Sequence, residues 1–224
     1  MSFDDFCTQA NTFDLVLWGG TSLNSTGVEI ISNSPFSHAT MVITDPNTGD
    51  RFLLQSTNVS MGADPLAGGT SHAGVQAGDL RSAMLALLNY KDVPTWISYT
   101  GQNQNDATFV QAVWNLAISL DGIPFPDVPL GMAAELFAGR CENIEITTSL
   151  FCSGLVGLIM KRVGIADPSV PCNAYFPKDF SSKYPGFLKL ISGSFGTDTP
   201  ISLPVSTVAG TAAGVAAGVA NPIT

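Results

Sequence analysis

Charge is scarce in this chain. Its 224 residues include nine basic and eighteen acidic ones, 12% in all, where a soluble domain ordinarily carries about 25%. Hydrophobic residues make up 45% and the mean hydropathy is +0.27, so the shortage does not mark disorder. It points to a surface covered by neighbouring protein or membrane, or solvated by Ser, Thr and Asn instead. Basic residues are the scarcer kind. The net charge of −9 and pI near 4.3 exclude the positive footprint that nucleic-acid binding needs. There is no Lys/Arg cluster and no glycine-rich phosphate loop of the P-loop or GxGxxG kind.

Cysteine and histidine are also few. Cys7, Cys141, Cys152 and Cys172 are too few for a disulfide scaffold at this length, and none forms a CxxC pair. A zinc site drawn from His38, His72 and the cysteines lacks ligand spacing, so the expectation is no metal and no cofactor. Met1 to Phe6 holds Asp4 and Asp5 and no basic residue, unlike a secretory signal peptide. A cytoplasmic or virion-associated protein with reduced thiols is expected. A long hydrophobic span is missing as well. Val205 to Ala220, between Pro204 and Pro222, is 16 residues and falls short of the ~20 that cross a bilayer.

What is present reads as mixed strands and helices. Phe13–Trp18 is a short apolar strand bounded by Gly19-Gly20. Residues 21–34 suit a short helix ended by Pro35. Ser37–Thr44 and Arg51–Ser56 flank the turn Asp45-Pro-Asn-Thr-Gly-Asp50 and predict a hairpin. Gly62–Gly78 is glycine-rich loop with one short strand, Leu80–Tyr90 is helical, and Thr95–Tyr99 is a strand. Asn105 or Asp106 caps a helix to Leu120, where Phe109, Val113, Trp114, Ala117 and Leu120 recur at helical spacing. Leu130–Phe137 is a short helix. Thr147–Ser149 caps an apolar helix, Leu150–Val163, stopped by Gly164. After Lys189 the only charge is Asp198, and residues 199–224 carry none. Three glycines there, Gly210, Gly214 and Gly218, recur every fourth position, a spacing that permits close helix approach.

Thiol catalysis needs a nucleophile, a base and a group that orients the base. In the first turn of its helix, Cys152 meets a dipole that favours the thiolate. His38 opens a strand, whereas His72 lies in the loop Gly69-Thr-Ser-His-Ala-Gly74. A base must be held rigidly, which selects His38. Gln55 is a polar residue in the apolar strand Phe52-Leu-Leu-Gln55 and reaches His38 across the hairpin. Trp18 and Phe36 flank these residues and suit either a groove wall or the core.

The segments Pro35-Phe-Ser-His-Ala-Thr-Met-Val-Ile43 and Leu150-Phe-Cys-Ser-Gly-Leu-Val156 resemble the circularly permuted NlpC-type papain-like cysteine hydrolases. That superfamily includes YiiX-like proteins, a poxvirus branch and relatives of lecithin–retinol acyltransferase. Phe13-Asp-Leu-Val-Leu17, Gly122-Ile-Pro-Phe125 and Phe176-Pro-Lys-Asp-Phe180 resemble further stretches of it, and the likeness covers roughly residues 13–190. Where the family often has Cys-Ser-Glu, this chain has Gly154, and its third polar residue is the neutral Gln55. The resemblance implies an α+β permuted papain-like fold in which a small antiparallel sheet packs on the cysteine-bearing helix. It implies catalysis by Cys152, His38 and Gln55 through an acyl-enzyme, on a peptide or acyl-lipid substrate. The expected divisions are an extension over 1–12, a domain over 13–190 and a tail over 191–224. Two other readings stand beside the thiol hydrolase. One is a structural or assembly component, such as a minor capsid protein of a large DNA virus. The other is a membrane-associated acyltransferase anchored through residues 199–224.

Overall fold

A computed structural model of the protein describes residues 1–20, 32–87, 94–101, 104–126 and 130–202. Its centre is the hairpin anticipated around Asp45–Asp50. Strand β2 (His38–Thr44) pairs antiparallel with β3 (Arg51–Thr57), Met41 opposite Leu54 and Thr44 opposite Arg51. The turn closes through Asp45, whose amide donates to the Asp50 carbonyl and whose carboxylate accepts from the Asn47 amide. Strand β1 (Leu15–Trp18) lies on the other side of β2, and β4 (Gly74–Asp79) on the other side of β3. With β5 (Thr95–Ile97) and β8 (Thr199–Pro200) they form one antiparallel sheet in the order β4-β3-β2-β1-β5-β8. The span anticipated as one strand over Thr95–Tyr99 divides, because β6 (Tyr99–Thr100) leaves the sheet to pair with β7 (Ser194–Phe195).

Both faces of the sheet are covered, so its strands are buried almost throughout rather than alternating with solvent. One face, with Leu17, Ala39, Met41 and Leu54, packs on α3 (Ala107–Leu120) and α5 (Cys152–Arg162). The other, with Val16, Trp18, Val42 and Leu53, meets α1 (Phe3–Gln9) and α2 (Leu80–Leu87). Helix α3 begins as the sequence predicts, with the Asp106 carboxylate accepting from the Thr108 and Phe109 amides. The helix predicted over Leu130–Phe137 runs on as α4, Leu130–Cys141. Trp18 and Phe36 are core residues rather than a groove wall: the indole of Trp18 donates to the Thr40 hydroxyl, and Phe36 packs edge-on to Tyr184.

Residues 1–12 of the expected extension, and 191–202 of the expected tail, pack against the domain. Phe3, Phe6 and Ala10 are buried against Val16, Leu53 and Met84. Beyond residue 190, the Asp198 carboxylate caps Ser181 and Ser182, and Thr199 and Pro200 extend the sheet. The start of the chain is stitched to residues 200–202. The Phe3 amide donates to the Ser202 carbonyl, the Ser202 amide donates to that of Met1, and the terminal amine donates to the Pro200 carbonyl 3.1 Å away. The helix expected over 21–34 falls largely, and the glycine-spaced segment over 205–220 wholly, outside the described residues.

One buried carboxylate organises the sheet's lower end. Asp14 accepts hydrogen bonds from the Asn11 and Tyr99 amides, the Trp96 indole and the Gln104 side chain. Burial still holds its pKa above the ordinary aspartate value, though all four donors oppose the shift. At one sheet edge, Gly122 and Ile123 run beside β4: the Val75 amide donates to the Ile123 carbonyl, and the Gly122 amide donates to that of Val75.

Candidate active site around Cys152 and His38

Helix α5 starts at Cys152, not at Leu150. Ser149, expected to cap it, donates its hydroxyl to the buried Glu135 carboxylate instead. Burial raises the Glu135 pKa, and a carboxyl group short of water competes effectively for a nearby donor. Phe151 therefore occupies the N-cap with no side-chain hydrogen bond to the helix, and Cys152 is the first helical residue. The helix ends as predicted. Gly164 takes φ +75°, its amide donates to the Lys161 carbonyl, and the Ile165 amide donates to that of Met160, a Schellman stop.

Two supports fix the start of α5. The Leu150 amide donates to the Pro124 carbonyl, and the Ser56 hydroxyl donates to the Leu150 carbonyl at 2.5 Å. This ties the residues preceding Cys152 to β3, the strand that carries Gln55. From the other side, the Ser153 hydroxyl donates to the Tyr175 carbonyl. Tyr175 follows the 3₁₀ turn Cys172–Ala174, which lies against α5 so closely that Gly157 faces the Tyr175 ring with no space for a Cβ.

The hairpin joins His38 and Gln55. With Met41 opposite Leu54, the two lie diagonally across β2 and β3, within reach of long side chains. His38 Nε2 stands 2.9 Å from Gln55 Oε1. An amide oxygen accepts, so Nε2 carries the proton and Nδ1 is the basic nitrogen. The Cys152 sulfur is 4.0 Å from the Ser37 carbonyl oxygen, on the residue next to His38. All three side chains are buried: Cys152 is 5%, His38 6% and Gln55 1% exposed. Gln55 Nε2 and the Ser37 hydroxyl are both shut off from solvent, with no hydrogen-bond partner among the described residues.

The other thiols have different surroundings. Cys141 is exposed and Cys7 half-buried. Cys172 is buried beside Glu145, which accepts from its amide, and burial followed by that carboxylate pushes its pKa up to about 12. Arg140 pairs with the Asp179 carboxylate and lies over the Phe176 and Phe187 rings. Asp179, in the Phe176–Phe180 segment, also accepts from the Phe176 amide, so this segment holds the chain that follows α5.

The loop histidine is not loose. His72 faces the carboxylates of Asp64 and Asp121, its Nε2 3.3 Å from one and 3.2 Å from the other. The sequence reading missed this cluster, since Asp121 is 49 positions from His72. Asp121 directly follows the helix predicted to end at Leu120. Burial, then the neighbouring Asp64 charge, raises the Asp121 pKa, while His72 opposes the shift.

Among the described residues no helix is long and apolar enough to cross a membrane. No family model and no curated protein matches the sequence. Among solved structures, the chain is similar to the metalloprotein YiiX from Escherichia coli O157:H7, at 11% identity and a TM-score of 0.46, over 87% of this chain and 97% of that one.

Proposed function

We propose that the protein is a thiol hydrolase of the permuted papain-like kind, acting on amide or ester carbonyls through Cys152, His38 and Gln55. The observation that carries this reading is the hydrogen bond from His38 Nε2 to Gln55 Oε1, on a strand whose preceding residue, Ser37, touches the Cys152 sulfur. The bond orients the imidazole and leaves Nδ1 as the base, the task of the third member of a catalytic triad. At the first residue of α5 the helix dipole stabilises negative charge on sulfur. In the proposed reaction the Cys152 thiolate adds to the substrate carbonyl, and amides at the start of α5 hold the oxyanion. The imidazolium of His38 gives its proton to the leaving group as the carbon–heteroatom bond breaks. Water, deprotonated by His38, then attacks the acyl-enzyme, releasing the acid and restoring the thiol.

The burial of all three residues favours a second reading. In it the arrangement is a retained scaffold and the protein serves assembly, as a capsid or other virion-associated component. One experiment separates the two. Native protein is alkylated with iodoacetamide at pH 6, where an ordinary thiol of pKa about 8.5 is well under 1% ionised, and labelling is read by peptide mass spectrometry. The hydrolase reading expects Cys152 to label about tenfold or more faster than the exposed Cys141, and expects His38→Ala to abolish that advantage. Slower labelling at Cys152 than at Cys141, unchanged in His38→Ala, overturns it in favour of the scaffold.

A further inference from the structure

We propose that Asp64, His72 and Asp121 form a binding site for one divalent cation of the zinc class. His72 Nδ1 lies 3.1 Å from the Ala73 carbonyl oxygen. A carbonyl only accepts, so Nδ1 carries the proton and the Nε2 lone pair is directed away from the backbone. That is the usual orientation of a metal-binding histidine, whose second nitrogen donates to a carbonyl or carboxylate. The lone pair points toward oxygens of two carboxylates, an arrangement that repels unless a positive charge sits between them. A proton on Nε2 would supply one, but it would be aligned with neither carboxylate. Nε2 and Asp121 Oδ1 are both closed to solvent, and neither has a hydrogen-bond partner among the described residues.

The spacing fits a metal ion. A four-coordinate zinc with bonds of about 2.0–2.1 Å places neighbouring ligand atoms roughly 3.3–3.4 Å apart. The Nε2 distances here are 3.3 and 3.2 Å, and the three donor atoms all lie within 4.8 Å of one another. Imidazole among the ligands favours zinc over calcium or magnesium, which prefer all-oxygen sites. Two carboxylates and a neutral imidazole balance the charge of a divalent ion. The donors are also held in place. Asp64 is 1% exposed in its side chain, and its two oxygens accept from the Leu66 and Ala77 amides. Asp121 is fixed as the C-cap of α3. His72 and Asp121 retain 23% and 15% side-chain exposure, so the cluster lies just beneath the surface although its donor atoms are themselves shielded.

The test uses the full-length protein stripped with a chelator and titrated calorimetrically with Zn²⁺, beside His72→Ala, Asp121→Asn and Cys152→Ala. One equivalent should bind to the wild type and to Cys152→Ala, and binding should weaken at least 100-fold in the other two. Co²⁺ in place of Zn²⁺ should give the visible bands of a four-coordinate ion without a thiolate charge-transfer band. Circular dichroism of the metal-free variants checks that they fold; if Asp121→Asn is misfolded, His72→Gln replaces it. A wild type that binds no Zn²⁺, binding that survives His72→Ala, or a cobalt–thiolate band overturns the proposal.

Discussion

At the scale of single residues, burial without water governs the chemistry. Cys172 and Tyr175 sit together in the segment that braces α5, and burial pushes both pKa values up to about 12. In the unfolded chain these groups ionise near 9 and 10. Between those values and 12 the folded state therefore holds more protons than the unfolded one, and stability falls as pH rises. Below pH 9 the contribution is fully present. Each group contributes at most about 1.4 kcal/mol per pH unit. Urea unfolding at pH 8, 10 and 11 should show the wild type weakening across this window, with a shallower fall in Cys172→Ala and in Tyr175→Phe. Equal slopes in all three would refute the assignment. His38 and Gln55 were legible in the sequence because a polar residue on an apolar strand is conspicuous and a hairpin register is short-range. The Asp64–His72–Asp121 cluster was not, because the loop histidine meets its partners only after β4 and the end of α3 have come together.

At the scale of elements, helix α5 shows how two like residues have opposite uses. A Cβ on Gly154 would meet the Phe151 ring at 3.6 Å, an ordinary contact, whereas one on Gly157 would collide with the Tyr175 ring and stand 3.1 Å from the Cys172 carbonyl. Gly154→Ala should raise stability by roughly 0.5–1 kcal/mol, the gain from removing a glycine inside a helix. Gly157→Ala should lower it by about 1–3 kcal/mol through overpacking. Thermal unfolding of the two variants checks this, and shifts of the same sign would show that α5 is not pressed against the 172–175 segment. The end of α5 was legible because Gly164 is a local signal. Its start was not, because the Ser149 hydroxyl had a tertiary alternative in Glu135.

At the scale of the molecule, the first residues of the chain and the Thr199–Pro200 strand belong to the fold. The residues that read as an extension supply Phe3 and Phe6 to the core, so Phe6→Ala should cost about 3–5 kcal/mol. Chemical denaturation would contradict this if the loss were below 1 kcal/mol. A seven-residue helix carries too little periodicity to announce this role. The same integration bears on a membrane anchor over residues 199–224. A truncation meant to test it must keep Thr199–Ser202, since removing β8 would injure the sheet whatever the remainder does.

The edges of that sheet have a further consequence, for colloidal behaviour. A strand edge with open amides recruits other chains, and a surface with so few charges offers little local repulsion against such encounters, leaving mainly the overall excess of acid. Gly122 and Ile123 occupy part of one edge by bonding Val75. The other edge ends in β8, two residues long, where Pro200 has no amide to offer. Solubility of this protein thus depends on how its borders are finished as well as on how its surface is charged.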